Sequence, residues 1–380
     1  MGYKFKGLRG VYLTTFLLNF GLGLVGLFMP IFVWQISGQL ASVFYFFALY
    51  YLAVFLASPL VGWLFKKFIA PDFSYLLSVL GRLLYLYFLV KAGQNAVFLW
   101  PAAFIWGLTI PFCWFPYYLT VTHEENEDGK FGREVSNMGT LSQLASAIAP
   151  ILGGLVISRY GFNFSYFLAG LFFIASFLPL YFDYYNPKRV EFSLRDSISF
   201  IRSPEEKKLR RAFLGSGLEG AANIAWPLFI FLILGGYQVL GWIKGLALLL
   251  SIMILMWVGR FIDKKGKGIL NWGVGANFFN WLLRILACSP LTFFLFDFLA
   301  TLGGALVTTP FQALVYEKAR GRYSPLEVFV ARDLLANLGG FLTCLLLAFL
   351  VNYRFFWFAA FSLGALGVFL IRGNDGEQTK

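Results

Sequence analysis

Apolar runs of about twenty residues or more recur along this 380-residue chain from Val11 to Ile371, each closed by a charged or a glycine- and proline-rich turn. A helix needs about 20 mostly apolar residues to cross a hydrocarbon core roughly 30 Å thick. Inside lipid every backbone polar group must be satisfied within the element itself. The runs therefore predict membrane-spanning helices. Composition agrees, since 59% of the residues are hydrophobic and 13% are charged, against roughly 45–50% and about 25% in soluble domains. Too little polar surface is left for a soluble enzyme, a disordered chain or a disulfide-rich secreted scaffold.

Twelve spans are expected, near 11–36, 40–65, 73–91, 96–121, 135–158 and 163–183, then 208–234, 239–259, 268–288, 291–316, 325–351 and 354–371. The first run is too long for a cleaved signal peptide and lacks a small-residue cleavage site, so it is expected to stay as the first span. The 31 basic residues outnumber the 19 acidic ones. That surplus is a matter of topology. With this assignment twenty-four Lys and Arg fall on the termini, the even-numbered connections and the central connection, against three on the odd-numbered ones (Lys91, Arg159 and Arg354). The positive-inside rule then places both termini in the cytoplasm, and the expected membrane is a plasma membrane of bacterial inner type. No nucleic-acid partner is implied, because such a partner needs its basic patch on a polar surface.

The only long polar connection, about 184–207, divides the chain into a six-span half of residues 1–187, a linker of 188–207 and a second half of 208–380. Ser193-Leu194-Arg195-Asp196 reads as a helix start, with Phe192, Leu194, Ile198 and Ile201 on one side, as for a short amphipathic helix on the inner membrane surface. The halves repeat at a lag of 197: Gly23 on Gly220, Pro30 on Pro227, Gly38 on Gly235, Gly62 on Gly259 and Lys67 on Lys264. The expected fold is an all-α polytopic membrane protein, twelve transmembrane helices in two pseudo-symmetric six-helix bundles, with solute bound between them near mid-membrane.

Between the eighth and ninth spans stands Gly259-Arg260-Phe261-Ile262-Asp263-Lys264-Lys265-Gly266-Lys267. With this hairpin, its degenerate copy at Gly62, Lys66 and Lys67, and the duplicated halves, the chain resembles the major facilitator superfamily over its whole length. The first copy is usually the better preserved in that family, and here it is the poorer one. The resemblance implies alternating access by rocking halves, a cavity lined by the first, fourth, seventh and tenth spans, and a cytoplasmic gate. At that gate Asp263 is expected to meet Arg133 or the start of the fifth span. Lys66 or Lys67 is expected to meet Glu327, with Gly259, Lys264, Gly266 and Lys267 completing the turn. Ala145, Ala149, Pro150, Gly153 and Gly154 resemble the family's fifth-helix pattern in drug and proton exchangers, with alanine at both leading glycines. They predict a close-packing face and only weakly an efflux substrate of amphipathic type.

Charges in mid-membrane cost roughly 2.5–3.5 kcal/mol each on insertion scales, so each asks for a reason. Glu219 lies about 18 Å into the seventh span at 1.5 Å per residue, with Asn223 one turn on and Trp226-Pro227 beyond. It is the first candidate for a proton or cation site; the alternative is a structural carboxylate paired to Arg82. Asp297 and Arg284 are read as one structural pair, with Asp297 as a solute or proton contact and an outward-reaching Arg284 as the alternatives. Arg82, too deep in the third span to reach water, joins Asn223 and Trp226 as a further solute or proton candidate. Arg332 and Asp333, about 12 Å into the eleventh span, suit the inner gate. Asn19 and Gln312 are secondary solute contacts, and Phe112, Trp114, Phe115, Tyr117 and Tyr118 form an apolar cavity wall.

Cys113, Cys288, Cys344 and His123 have no metal-ligand spacing, and GxxxxGK[ST] is absent. No cofactor is expected, and the partners are a small solute, protons and lipid, with the chain acting as a monomer. The reading is a gradient-driven transporter. Its rivals are a uniporter or lipid-moving facilitator, and a transport-inactive scaffold. An enzyme would require a polar catalytic cluster, and the run His123 to Asp128 reads as a solvated loop.

Overall fold

The computed structural model describes residues 6–123, 131–183, 190–262, 269–319 and 321–372. Among them the chain is helical throughout with no strand, and its helices compose the twelve spans of two six-helix bundles. Nine stretches are long and apolar enough to cross a membrane, and one of these, Ser142–Pro179, is two crossings. There the helix Phe131–Asp183 is interrupted only at Gly161, whose φ of 78° reverses the chain without a loop. The ninth span, Ile269–Leu283 with a 3₁₀ turn Arg284–Leu286, and the twelfth, Phe356–Leu370, complete the set.

The internal repeat has a backbone counterpart. The first span is a helix Lys6–Val25, a 3₁₀ turn Gly26–Phe28 and a second helix Met29–Ser37. The seventh is Lys207–Ala222 followed by Ala225–Leu234. Each second segment carries proline in its opening turns, Pro30 or Pro227, which cannot donate to the preceding turn. Each ends at a glycine of positive φ, Gly38 at 70° and Gly235 at 63°. The two breaks are thus at matching positions.

Lipid offers no hydrophobic drive for helices to associate, so close approach depends on small side chains. The fifth span supplies them on two sides. A Cβ on Gly153 would press on the Leu24 carbonyl of the first span. A Cβ on Gly241 of the eighth span, Tyr237–Ile262, would collide with the Pro150 carbonyl across the interface between the halves. The second span, Leu40–Lys67, crosses the eleventh, Pro325–Leu350, on the other side of that interface.

The linker helix Leu194–Arg202 is capped by Ser193, whose hydroxyl accepts from the Asp196 N–H at 3.4 Å. Its expected apolar face is divided between an exposed part and a part packed on the protein. Leu194 and Ile198 are exposed, whereas Phe192 and Phe200 are buried in a cluster with Phe65, Phe213 and Phe329. The turn of the helix is set by the large aromatic side chains, which gain more from protein packing than the aliphatic pair.

Candidate functional site

Four charged side chains from four consecutive spans of the second half meet within the membrane. Lys244 of the eighth span donates to Asp297 Oδ1 at 2.6 Å, and the indole N–H of Trp226 donates to the same oxygen at 2.8 Å. Asp297 belongs to the tenth span, Pro290–Lys318, and is 3% exposed. Arg284 is also buried, and its guanidinium lies over the Trp281 ring at 3.9 Å and the Trp226 ring at 4.6 Å. It neither bonds Asp297 directly nor reaches outward. The expected pair is replaced by a cation held between two indoles, favourable where water is excluded. Both Glu219 and Asp297 still act on Arg284 through space.

Glu219 is held loosely by comparison. Its Oε1 accepts from Asn277 Nδ2 and from Trp281 Nε1, both at 3.4 Å, near the limit at which a hydrogen bond is worth counting. No cation bonds it. Several polar atoms around it lack a protein partner: Asp297 Oδ2, Arg284 Nε and Nη1, Asn277 Oδ1 and both amide atoms of Asn280. Asn223 is exposed. The cluster balances two carboxylates against two cations, and of its carboxylates only Glu219 is free of a short charged bond.

Arg82 lies in the other half, in the third span Pro71–Ala92, and does not pair with Glu219. It is 1% exposed, and none of its three guanidinium nitrogens has a hydrogen-bond partner. Its guanidinium lies over the Phe173 ring at 5.7 Å. Close by, Tyr75 and Ser176 share a 2.9 Å hydroxyl contact.

At the linker end the halves are joined through the eleventh span. Arg332 donates to Asp333 Oδ1 at 2.8 and 3.1 Å and to the Tyr118 hydroxyl at 3.0 Å. Asp333 Oδ2 accepts from Ser58 of the second span at 3.2 Å. Tyr118 stacks on Phe329 with centroids 4.2 Å apart. Tyr118, expected as cavity wall, thus closes the interface. Trp114 stacks beneath Tyr118 at 6.1 Å.

The expected contact of Glu327 with Lys66 or Lys67 is not formed. Both lysines are exposed, and Lys67 lies over Trp63 at 5.2 Å. The linker backbone takes their place. Glu327 accepts from the Ser193 N–H at 3.0 Å and from the Ser324 N–H at 2.9 Å, while the Ser324 hydroxyl donates to the Glu191 carbonyl at 2.9 Å. Phe192 fills the space beside Gly62, where a Cβ would come within 2.9 Å of its ring. A lysine held at Glu327 would give up water for a single exposed contact, worth little; backbone donors otherwise left bare gain more. Glu327→Ala is accordingly expected to release the linker, and a loss of 1.4 kcal/mol would speed tryptic cleavage after Arg195 about tenfold, because the open population sets that rate. Unchanged cleavage would argue against this anchoring.

Asp263, Lys264, Gly266 and Lys267 lie outside the described residues, as do the side chain of Arg133 and the surroundings of Gly259. Asn19 is half-buried and Gln312 exposed, and neither bonds the charged cluster. Lys244, Trp281, Ser58 and Phe192 were not foreseen. At the end away from the linker, Tyr237 donates to Gln35 at 2.7 Å, and Trp34 meets Phe231 with centroids 6.5 Å apart. Phe44 meets Phe356 at 5.5 Å. The halves are therefore in contact at both ends.

A family model described as Major Facilitator Superfamily matches residues 11–343. The protein YqgE of Bacillus subtilis (strain 168), described as uncharacterized, is 26% identical over 356 residues, covering 88% of this chain and 80% of that one. The crystal structure of the human organic anion transporter MFSD10 superposes with a TM-score of 0.70 at 15% identity, over 98% of this chain and 100% of its own. A peptide transporter POT in complex with alafosfalin gives 0.68 at 13% identity, over 96% and 93%.

Proposed function

The chain belongs to the Major Facilitator Superfamily and is a membrane transporter, not an enzyme; from that premise we propose that it moves a small solute by alternating access, coupled to protons through Glu219. The observation that carries the coupling is the contrast between the two carboxylates of the charged cluster. Asp297 is tied to Lys244 at 2.6 Å, whereas Glu219 has only two contacts of 3.4 Å from neutral donors. A proton on Glu219 costs no ion pair, and it leaves Arg284 facing one charge fewer. Protonation thus changes the balance of a buried cluster at small local cost. Both termini and the linker are placed on the cytoplasmic side of the inner membrane, on the strength of the basic residues they carry.

The test is transport in liposomes. A one-unit pH gradient can sustain about tenfold accumulation at one proton per solute, because 1.4 kcal/mol is a factor of ten. Glu219→Gln is expected to abolish that accumulation while retaining solute counterflow, which needs no net proton movement. Full gradient dependence in Glu219→Gln would refute the coupling. A uniporter would show counterflow without accumulation in the unmodified protein, and a scaffold would show neither.

A further inference from the structure

The charges within the spans do not cancel. Four basic residues lie inside the membrane, Arg82, Lys244, Arg284 and Arg332, and three acidic ones, Glu219, Asp297 and Asp333. Lys244 is paired with Asp297 and Arg332 with Asp333. Arg284 is flanked by two carboxylates. The remaining charge is Arg82, in a half whose spans hold no carboxylate away from their ends. A guanidinium stays charged under all physiological conditions, and burying it without a partner costs several kcal/mol. Its surroundings are rings and hydroxyls: Phe173, Tyr75 and Tyr50, with Tyr50 packed on Trp106 at 4.4 Å. Tyr50 packs on Tyr51 with ring centroids 5.2 Å apart, and a Cβ on Gly340 of the eleventh span would meet the Tyr51 ring across the interface between the halves.

We propose that Arg82 is the docking point for the transported solute, and that the solute is a small organic monocarboxylate with an apolar or aromatic body. This rests on the reading of the chain as a transporter and is independent of proton coupling. Three guanidinium nitrogens free of protein partners offer the planar fork that matches a carboxylate with two parallel bonds. One uncompensated positive charge calls for one negative charge; a dianion such as a phosphate ester would leave an excess charge in an apolar site. The rings beside Arg82 would receive the body of the acid. The division of labour is then between halves, with solute recognised in the first and protons handled in the second.

The experiment uses the purified full chain in lipid nanodiscs, with benzoate, phenylacetate and hexanoate as probes, the matching amides as neutral controls, and chloride at equal ionic strength. At saturation at least one carboxylate should raise the unfolding temperature by about 5 °C, and its amide and chloride should not. Arg82→Met should lose that response and be no less stable than the unmodified protein without ligand, because it removes an uncompensated charge. Arg82→Lys keeps the charge without the fork and should respond much less; it carries the comparison if Arg82→Met fails to fold. Equal stabilisation by acid and amide, an undiminished response in either variant, or no response to any of the three acids would overturn the proposal. A protein that binds a carboxylate but does not accumulate it under a pH gradient would sink the coupling alone. Gradient-driven accumulation of another solute with no carboxylate binding would sink the docking site alone.

Discussion

Asp297→Leu is expected to cost about 3–5 kcal/mol of stability, the range for breaking a buried ion pair by removing one partner. Among the described residues the aspartate is the bonded counterion of Lys244 and the acceptor for the Trp226 indole, and it faces Arg284 as well. Without it the two cations of the cluster are left with Glu219 as its remaining carboxylate. The apparent unfolding temperature in nanodiscs should fall by about 10 °C. Adding Lys244→Met should recover more than half of the loss, because an apolar pair of similar volume avoids the desolvation that the ion pair had to offset. Part will remain, since a buried indole N–H left without an acceptor costs about 1–3 kcal/mol. A double variant no more stable than Asp297→Leu alone would show that the pair is not what the single substitution breaks.

Asp333→Ala should act on conformation more than on stability. Asp333 holds Arg332 in place for Tyr118 and takes the Ser58 hydroxyl of the opposite half. Its loss removes one inter-half bond outright and frees the arginine that makes the other. A loss of roughly 2–3 kcal/mol of closing energy would raise the population open at the linker end by about 30- to 150-fold. Spin labels at Lys67→Cys and Arg322→Cys, both exposed positions at that end, would report it as a second, longer distance by pulsed electron resonance. The background would carry Cys113→Ala, Cys288→Ala and Cys344→Ala. A distance distribution identical to that of the parent would rule out a latch at Asp333.

The span count and the duplication were legible because each rests on backbone chemistry: length against the bilayer, and glycine and proline recurring at one lag. The partners of the interior charges were not. In a soluble helix the apolar stripe tells which way a residue faces; here lipid is as apolar as the core. Trp272 at 81% exposure and Trp281 at 1% sit nine residues apart on one helix, and nothing in the residue type separates them. Rotation about the helix axis is therefore hidden, and with it the turn that brings Trp281 over Arg284. Lys244 was within reach by subtraction: of 31 basic residues, twenty-seven are accounted for by connections and termini, and the four that remain include it. The linker at Glu327 was obscured for another reason. Charge matching pointed to Lys66 and Lys67, whereas the donor that arrives is a main-chain N–H, which every residue but proline carries.

The breaks in the first and seventh spans make the two ends of the molecule mechanically unlike. The contacts between Gln35 and Tyr237 and between Trp34 and Phe231 are carried by segments of 9 and 10 residues, Met29–Ser37 and Ala225–Leu234. Each is hinged where the helical hydrogen-bond ladder is already interrupted. These segments can swing as short cantilevers while Lys6–Val25 and Lys207–Ala222 stay seated. At the linker end the second span runs as one helix through Pro59 and the eleventh is likewise unbroken, so parting Ser58 from Asp333 moves helices of 28 and 26 residues. On the proposed alternating-access reading, one mouth would open by bending two levers and the other by separating two walls, so the barriers on the two sides of the membrane need not match.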